Sequence, residues 1–298
     1  MPCYGNRAVW GSTMATETDF LRDPDGHGWH LDRALVDAWL LRTAVVRGTI
    51  LLTPARQHCG DGWQARVATI RGEVDLAVRF AIDAGGRAAP LARLLGARRR
   101  RSDRLVCGWL HGPARGIGRG AGLTIVEAVE DGWWYTTPIP GGRRVLAFLI
   151  DADLPAARIA HQRRWLNETA ARAREITAVL AESQFAPAAG GFIAAHSSVL
   201  VSCAGDRWLA VGDASMSFDP LAAQGLLHAL FTGLCRGRNR GRLLAPPAKD
   251  QSAAARLRKQ RVRLLQQFRQ TADDAVGAKQ MIPLRPHVEI ASSLRSSQ

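Results

Sequence analysis

Residues 104–151 contain four segments, LVCGWL, LTIVEAVE, GWWYTTPI and RRVLAFLI, that are rich in β-branched and aromatic side chains. That texture, broken by turn residues, confines this part of the chain to an antiparallel sheet. Gly141-Gly142 between the last two segments is a hairpin turn sequence. Asp153-Leu154-Pro155 then signals a helix start, and Ile159, Leu166, Ala170, Ala173, Thr177 and Leu180 recur at three and four residues. The spacing predicts one long amphipathic helix crossing the sheet. On the amino-terminal side, GWHLDRALVDAWLLRTAVVRGTILL reads as a helix with a stop at Gly48, feeding a strand. Residues 64–70 and 76–82 read as two strands around a turn. The second is almost wholly apolar and runs into Asp83-Ala84-Gly85-Gly86-Arg87, as a strand buried on both faces would. After the long helix, GGFIAAHSSVLVSCAGDRWLAVGD returns to strands.

The chain has 298 residues, enough to bury a sizeable core, with 47% hydrophobic and 22% charged residues. No apolar run has the length of a membrane helix and the first residues do not have a secretory pattern, so a cytoplasmic location is the expectation. Cys3, Cys59, Cys107, Cys203 and Cys235 form no CxxC pair and no metal-ligand spacing with histidine. His27 and His30 are a pair in isolation, so no metal is expected. The net charge of +14 is mostly a tail property: residues 236–298 hold 14 Lys and Arg against 4 Asp and Glu, including all three lysines. CRGRNRGRLLAPPAKDQS reads as a linker, and the segment after it as a basic helix with Leu257, Leu264 and Phe268 on one face. A nucleic-acid-binding tail is the rival this charge raises; no nucleic-acid fold accompanies it, and a solvated helix is the simpler reading.

The stretch WLAVGDASMSFDPLAAQG, residues 208–225, carries the chemistry. Leu209, Ala210 and Val211 make a short buried strand, and Gly212 allows close backbone approach. Asp213 then stands at the carboxyl end of a strand, where open α/β sheets bind ligands, and can accept a hydrogen bond from a polyol hydroxyl. Pro220 suits a first helical turn with Asp219 as its cap. The helix start at Gln224 and Gly225 aims backbone N–H groups at an anion or a ring edge. A plain capped strand-loop-helix connection accounts for the same residues on physics alone.

GDASMSFDPLAAQG resembles the third flavin-binding motif of the FAD-dependent monooxygenases of the para-hydroxybenzoate hydroxylase and tryptophan-halogenase type. The resemblance implies that Gly212 and Asp213 hold the FAD ribityl chain and that Pro220, Gln224 and Gly225 approach the flavin ring. GHGWHLDRALVDAWLL looks like the family's arginine before a helix, which would put Arg33 on the FAD. FAIDAGGR resembles the strand ending in DATGR or DASGR, implying a cofactor role for Asp83 and Gly86, although Gly85 replaces the hydroxyl residue. DGWWYTTPIP with GGRRVLAF resembles the central substrate sheet of halogenase-like members, especially the flavoproteins that mature quinone-cofactor amine oxidases. It implies a substrate face at Trp133, Trp134 and Tyr135. The matches run in order from about residue 4 to 235.

Two departures shape the expectation. The family's GxGxxG unit for the FAD pyrophosphate has no counterpart here, since GIGRGAG at 116–122 has the wrong spacing between β-like segments. The halogenases' catalytic lysine is also missing, because no lysine precedes Lys249, and GWWYTTPIP departs from WxWxIP. The expected fold is mixed α/β: an incomplete Rossmann-like FAD-binding domain with an inserted antiparallel substrate sheet and a helical basic tail. Its expected parts are 1–103 and 191–235 for FAD, 104–190 for the sheet and crossing helix, and 236–298 for the tail. The expected protein is an FAD-dependent, hydroxylating oxidoreductase acting on an aromatic small molecule or protein side chain. NAD(P)H or a flavin reductase would supply its electrons. No side chain is singled out as catalytic. A noncatalytic remnant of the fold, truncated before its pyrophosphate cradle and poorly soluble alone, is the alternative.

Overall fold

The computed structural model describes residues 1–238, apart from 25, 53–54, 60–63, 70–71, 117 and 119. The expected basic helix of the tail lies outside the described residues.

A seven-stranded sheet dominates. Its order is Ala189–Ala194, Leu105–Pro113, Arg143–Asp151, Gly132–Ile139, Leu123–Val129, Gly5–Val9 and Thr16–Asp19. The four segments expected between 104 and 151 are its centre. Gly141 and Gly142, both at positive φ, turn the hairpin between Gly132–Ile139 and Arg143–Asp151. All neighbours are antiparallel except Gly5–Val9, which lies parallel to Leu123–Val129. The sheet thus reaches past both expected boundaries, taking strands from residues 5–19 and from 189–194.

Alternation along the strands gives the sheet two different faces. Leu110, Ile125, Trp134, Leu146, Phe148 and Ile150 point to one face and pack with Leu166, Ala170, Ile176 and Val179 of two covering helices. Trp134 and Phe148 are fully buried with ring centroids 4.6 Å apart. Each such side chain contributes about 1.5–3 kcal/mol by burial. Cys107, Trp133, Ala147 and Leu149 point to the other face, with Trp109 and Tyr135 partly covered beside them.

The expected single helix is broken into a 3₁₀ turn at Pro155–Arg158 and helices Arg163–Ala170 and Arg174–Glu182. The cause is Glu127, a buried carboxylate on the sheet. Its two oxygens accept the N–H groups of Arg174 at 2.9 Å and Ile176 at 3.0 Å, capping a new helix from outside its own sequence. Thr177 Oγ1 donates to the Ala170 carbonyl at 2.9 Å and satisfies an acceptor at the end of the first helix.

The expected strand at 76–82 is likewise divided. Gly72–Ala77 pairs in a hairpin with Gln64–Thr69 and is exposed along its length. Ala81–Asp83 is a separate strand, parallel to Trp208–Ala210. Ile82 is 56% exposed, so this strand is not buried on both faces. The helix Arg33–Val46 forms as expected, capped by Asp32 at one end and closed at Gly48 (φ +92°) at the other. No helix is long and apolar enough to cross a membrane, and no group of metal-ligating side chains forms, among the described residues. Cys3, Cys107, Cys203 and Cys235 are thiols, and burial pushes Cys107 up to about 12.

Candidate functional site

The site grows from the two parallel strands. Ala210 lies opposite Asp83, and Val211 N donates to the Asp83 carbonyl at 2.9 Å. Parallel pairing brings two sequence-distant turns, 83–87 and 212–215, to the same end of the strands.

In the first turn, Asp83 is 3% exposed. One carboxylate oxygen accepts from Gly85 N at 2.8 Å, the other from Ala92 N at 2.8 Å. The carboxylate therefore binds the turn to the helix Pro90–Leu94. A Cβ at Gly85 would stand 2.4 Å from Pro90 Cδ, so the close approach of that helix requires glycine where DATGR-type sequences have a hydroxyl residue. Gly86 takes φ +63° with open space around its Cβ position. Ala89 follows at φ +41°, a left-handed conformation that is strained for a non-glycine residue.

The second turn begins at Gly212 (φ +54°), whose N–H donates to Thr232 Oγ1 at 2.9 Å. Ser215 Oγ donates to the Gly212 carbonyl at 2.8 Å and lies 3.2 Å from His228 Nε2. These bonds fasten the helix Gly225–Arg238 against the turn. Burial lowers the pKa of His228 from its ordinary value, opposed by the nearby Asp213 charge, so the imidazole is neutral near pH 7. The Asp213 side chain is 30% exposed and pairs with Arg87 at 3.4 Å, which directly joins the two turns.

Between turn and helix, Asp219 caps Pro220–Ala222, accepting Leu221 N at 2.8 Å, and burial raises its pKa. Ala223 is left-handed at φ +49° and sets the angle at which the chain enters the helix. Gln224 carries the acceptor for His228 N at 2.9 Å, and the Cβ position of Gly225 faces open space. The first-turn N–H groups of this helix have no intrahelical acceptors. Of the two left-handed alanines, Ala223 lies within the 212–225 motif and Ala89 two residues past the FAIDAGGR motif, so backbone strain sits at both turns.

Gly212, Asp213, Pro220, Gln224 and Gly225 are brought together, with Asp83 and Gly86 beside them. Arg33 is not tied to this group by any described polar contact: its Nε bonds Asp37 at 2.9 Å, one turn along the helix. The neighbouring Asp32 forms an ion pair with Arg143, linking that helix start to the sheet hairpin. Trp133, Trp134 and Tyr135 are divided by the strand alternation. Trp133 and Tyr135 share the face away from the covering helices, where Trp133 is buried with Trp10 packed on it at 6.3 Å between centroids and Tyr135 is partly covered, while Trp134 is inside the helix-covered core. Arg87 and Arg99 are the functional candidates sequence reasoning missed. Arg87 stands in the quoted FAIDAGGR motif; Arg99 had no motif to mark it. Gly116, Gly118 and Gly120 approach the Arg174–Glu182 helix, and a Cβ at Gly116 would stand 1.9 Å from the Glu182 carbonyl, whereas Gly122 lies against Tyr4.

The residues fit one half of a flavin site. Asp213 offers a half-exposed carboxylate for polyol hydroxyls, and the open space at Gly225 lets a ring edge approach unpaired N–H groups.

No family model matches the chain. It is 27% identical over 277 residues to the provisionally assigned FAD-dependent oxidoreductase LodB of Marinomonas mediterranea, covering 91% of this chain and 73% of that one. The myxobacterial chondrochloren halogenase CndH superposes with a TM-score of 0.73 at 20% identity, over 87% of this chain and 62% of its own. QhpG, a peptidyl tryptophan dihydroxylase of tryptophylquinone biogenesis, superposes with a TM-score of 0.57 at 22% identity, over 82% and 55%. The chain spans about half to two thirds of the length of these solved flavoproteins. The chain is thus similar in sequence to LodB and shares the fold of the FAD-dependent halogenase CndH and of QhpG.

Proposed function

We propose that the chain is an FAD-dependent oxidoreductase of the monooxygenase type that hydroxylates an aromatic small molecule or a protein side chain. The observation that carries the reading is the joined pair of turns: Asp213 presented at the carboxyl end of a parallel strand, beside a helix start with open space at Gly225. The similarity to LodB supports FAD as the cofactor, and that to QhpG favours a protein-borne aromatic substrate.

When bound, FAD supplies the electron transfer and oxygen activation. Asp213 would accept hydrogen bonds from the ribityl hydroxyls, and the N–H groups and positive dipole end of the Gly225 helix start would hold the ring edge. Neutral His228 holds Ser215, and with it the Gly212 carbonyl, which fixes the turn that presents Asp213. On the sheet face away from the covering helices, Trp133 is buried, and the partly covered Tyr135 and Trp109 beside it supply the aromatic edges that a planar substrate would meet. Electrons come from NAD(P)H or a separate flavin reductase. The absence of a lysine before Lys249 favours hydroxylation over halogenation.

The test is incubation of the FAD-loaded chain with a flavin reductase, ¹⁸O₂ and tryptophan-containing peptides. The expected product gains labelled oxygen. Flavin turnover without label in any peptide would contradict the protein-side-chain substrate, and incorporation of halide in place of oxygen would contradict the hydroxylase reading.

A further inference from the structure

Arg87 makes three polar contacts, and each reaches a different segment of the candidate site. Nη1 pairs with Asp213 Oδ2 at 3.4 Å, Nε donates to the His196 carbonyl at 3.4 Å, and Nη2 donates to the Phe218 carbonyl at 3.3 Å. His196 leads into the strand Ser198–Leu200, and Phe218 leads into the Pro220 turn. One planar guanidinium, 18% exposed, therefore fastens the segments on either side of the Asp213 turn. Arg99 grips the same residue differently. It donates to Ser198 Oγ at 2.7 Å, to the Asp213 carbonyl at 3.1 Å and to the Ala214 carbonyl. Arg99 thus fixes the backbone of Asp213, which leaves its side-chain rotamer undetermined.

We propose that Arg87 is the positioning residue of this site: it selects the Asp213 rotamer in which the carboxylate receives a polyol hydroxyl. The proposal rests on the reading that Asp213 holds the ribityl chain of FAD. A short aspartate on a 3₁₀ turn has three staggered wells open to it. The ion pair takes one oxygen and leaves the carboxylate further acceptor sites, because an ionised carboxylate accepts about four hydrogen bonds. Arginine suits this task better than lysine, since a single ammonium cannot reach a carboxylate and two carbonyls in three directions.

The experiment is FAD titration of the full chain by quenching of flavin fluorescence, for wild type, R87Q, D213N and the double variant. Glutamine keeps a donor for a carbonyl and removes the ion pair. Each single substitution is expected to weaken FAD binding by about tenfold, or ~1.4 kcal/mol. The double variant is expected to bind no more weakly than D213N, because Arg87 acts through that carboxylate. R87K, which keeps the charge but not the fork, is expected to recover part of the loss. If R87Q does not fold, R87K is compared with wild type, and an unchanged affinity overturns the proposal. It is also overturned if R87Q binds as wild type does, or if the double variant shows the product of both losses. Failure of the wild-type chain to bind FAD overturns the underlying reading, which separates the two outcomes.

Discussion

Asp83 and Asp213 end neighbouring parallel strands, yet their surroundings give them different work. Asp83 is buried with both oxygens committed to backbone N–H groups, whereas Asp213 is half-exposed with a single arginine partner. Replacing Asp83 by alanine leaves two N–H groups without acceptors, at about 1–3 kcal/mol each where buried. A clear fall in the urea midpoint is expected, and an unchanged midpoint would contradict the structural role. His30 offers a second test at this scale. It is fully buried, with Nε2 3.2 Å from Thr124 Oγ1, and its pKa is lowered from 6.5 to about 4, chiefly by burial and then by nearby positive charge. A histidine kept neutral in the folded state binds its proton more readily when unfolded. Its contribution is therefore complete above about pH 6.5 and is lost as the pH falls toward 4, on the order of 3 kcal/mol in all. Urea midpoints measured across that range should fall with pH in wild type and fall less in H30Q. Parallel profiles would rule the assignment out.

Among the elements, Glu127 decides the most with the least local signal. Its carboxylate starts the helix Arg174–Glu182 from a strand 47 residues away. E127Q weakens that cap and E127A removes it, with expected losses of about 0.5–2 kcal/mol for the alanine variant. Differential hydrogen exchange should locate the effect in the first turn of that helix; uniform loss of protection would contradict it. This element also shows what could be read in advance. The Gly141-Gly142 hairpin, the Asp32 cap and the stop at Gly48 were legible because each is a local transaction between neighbouring residues. The helix break was not, because a distant carboxylate supplies the cap. The strand Gly5–Val9 was missed for the same reason: it is paired with Leu123–Val129, over a hundred residues on. The turn at 212–215 was recognisable in its motif, but its partner Arg99 was not. One arginine in the run Arg98–Arg101 is told from its neighbours only when the fold places two carbonyls against it.

Taken as a whole, the molecule joins a well-packed sheet to a sparsely covered region. The helix Arg33–Val46 buries none of its residues, with Leu35 64% and Trp39 58% exposed. The helix Gly225–Arg238 exposes Leu227, Leu230, Phe231 and Leu234. Apolar side chains in such number call for cover. Concentration-dependent association of the purified chain is therefore expected in light scattering, and a constant monomer mass across a hundredfold concentration range would contradict it. The helix Gly225–Arg238 packs on the Gly212–Ser215 turn, one of the two joined turns on which the functional reading depends. Its most direct test is equilibrium dialysis of the chain against FAD, followed by a visible absorption spectrum, with Asp213→Ala beside wild type. One flavin is expected to be retained per wild-type chain, with a spectrum shifted from that of the cofactor in solution, and to be lost in the variant. Equal retention by both proteins, or none by wild type at saturating FAD, would contradict it.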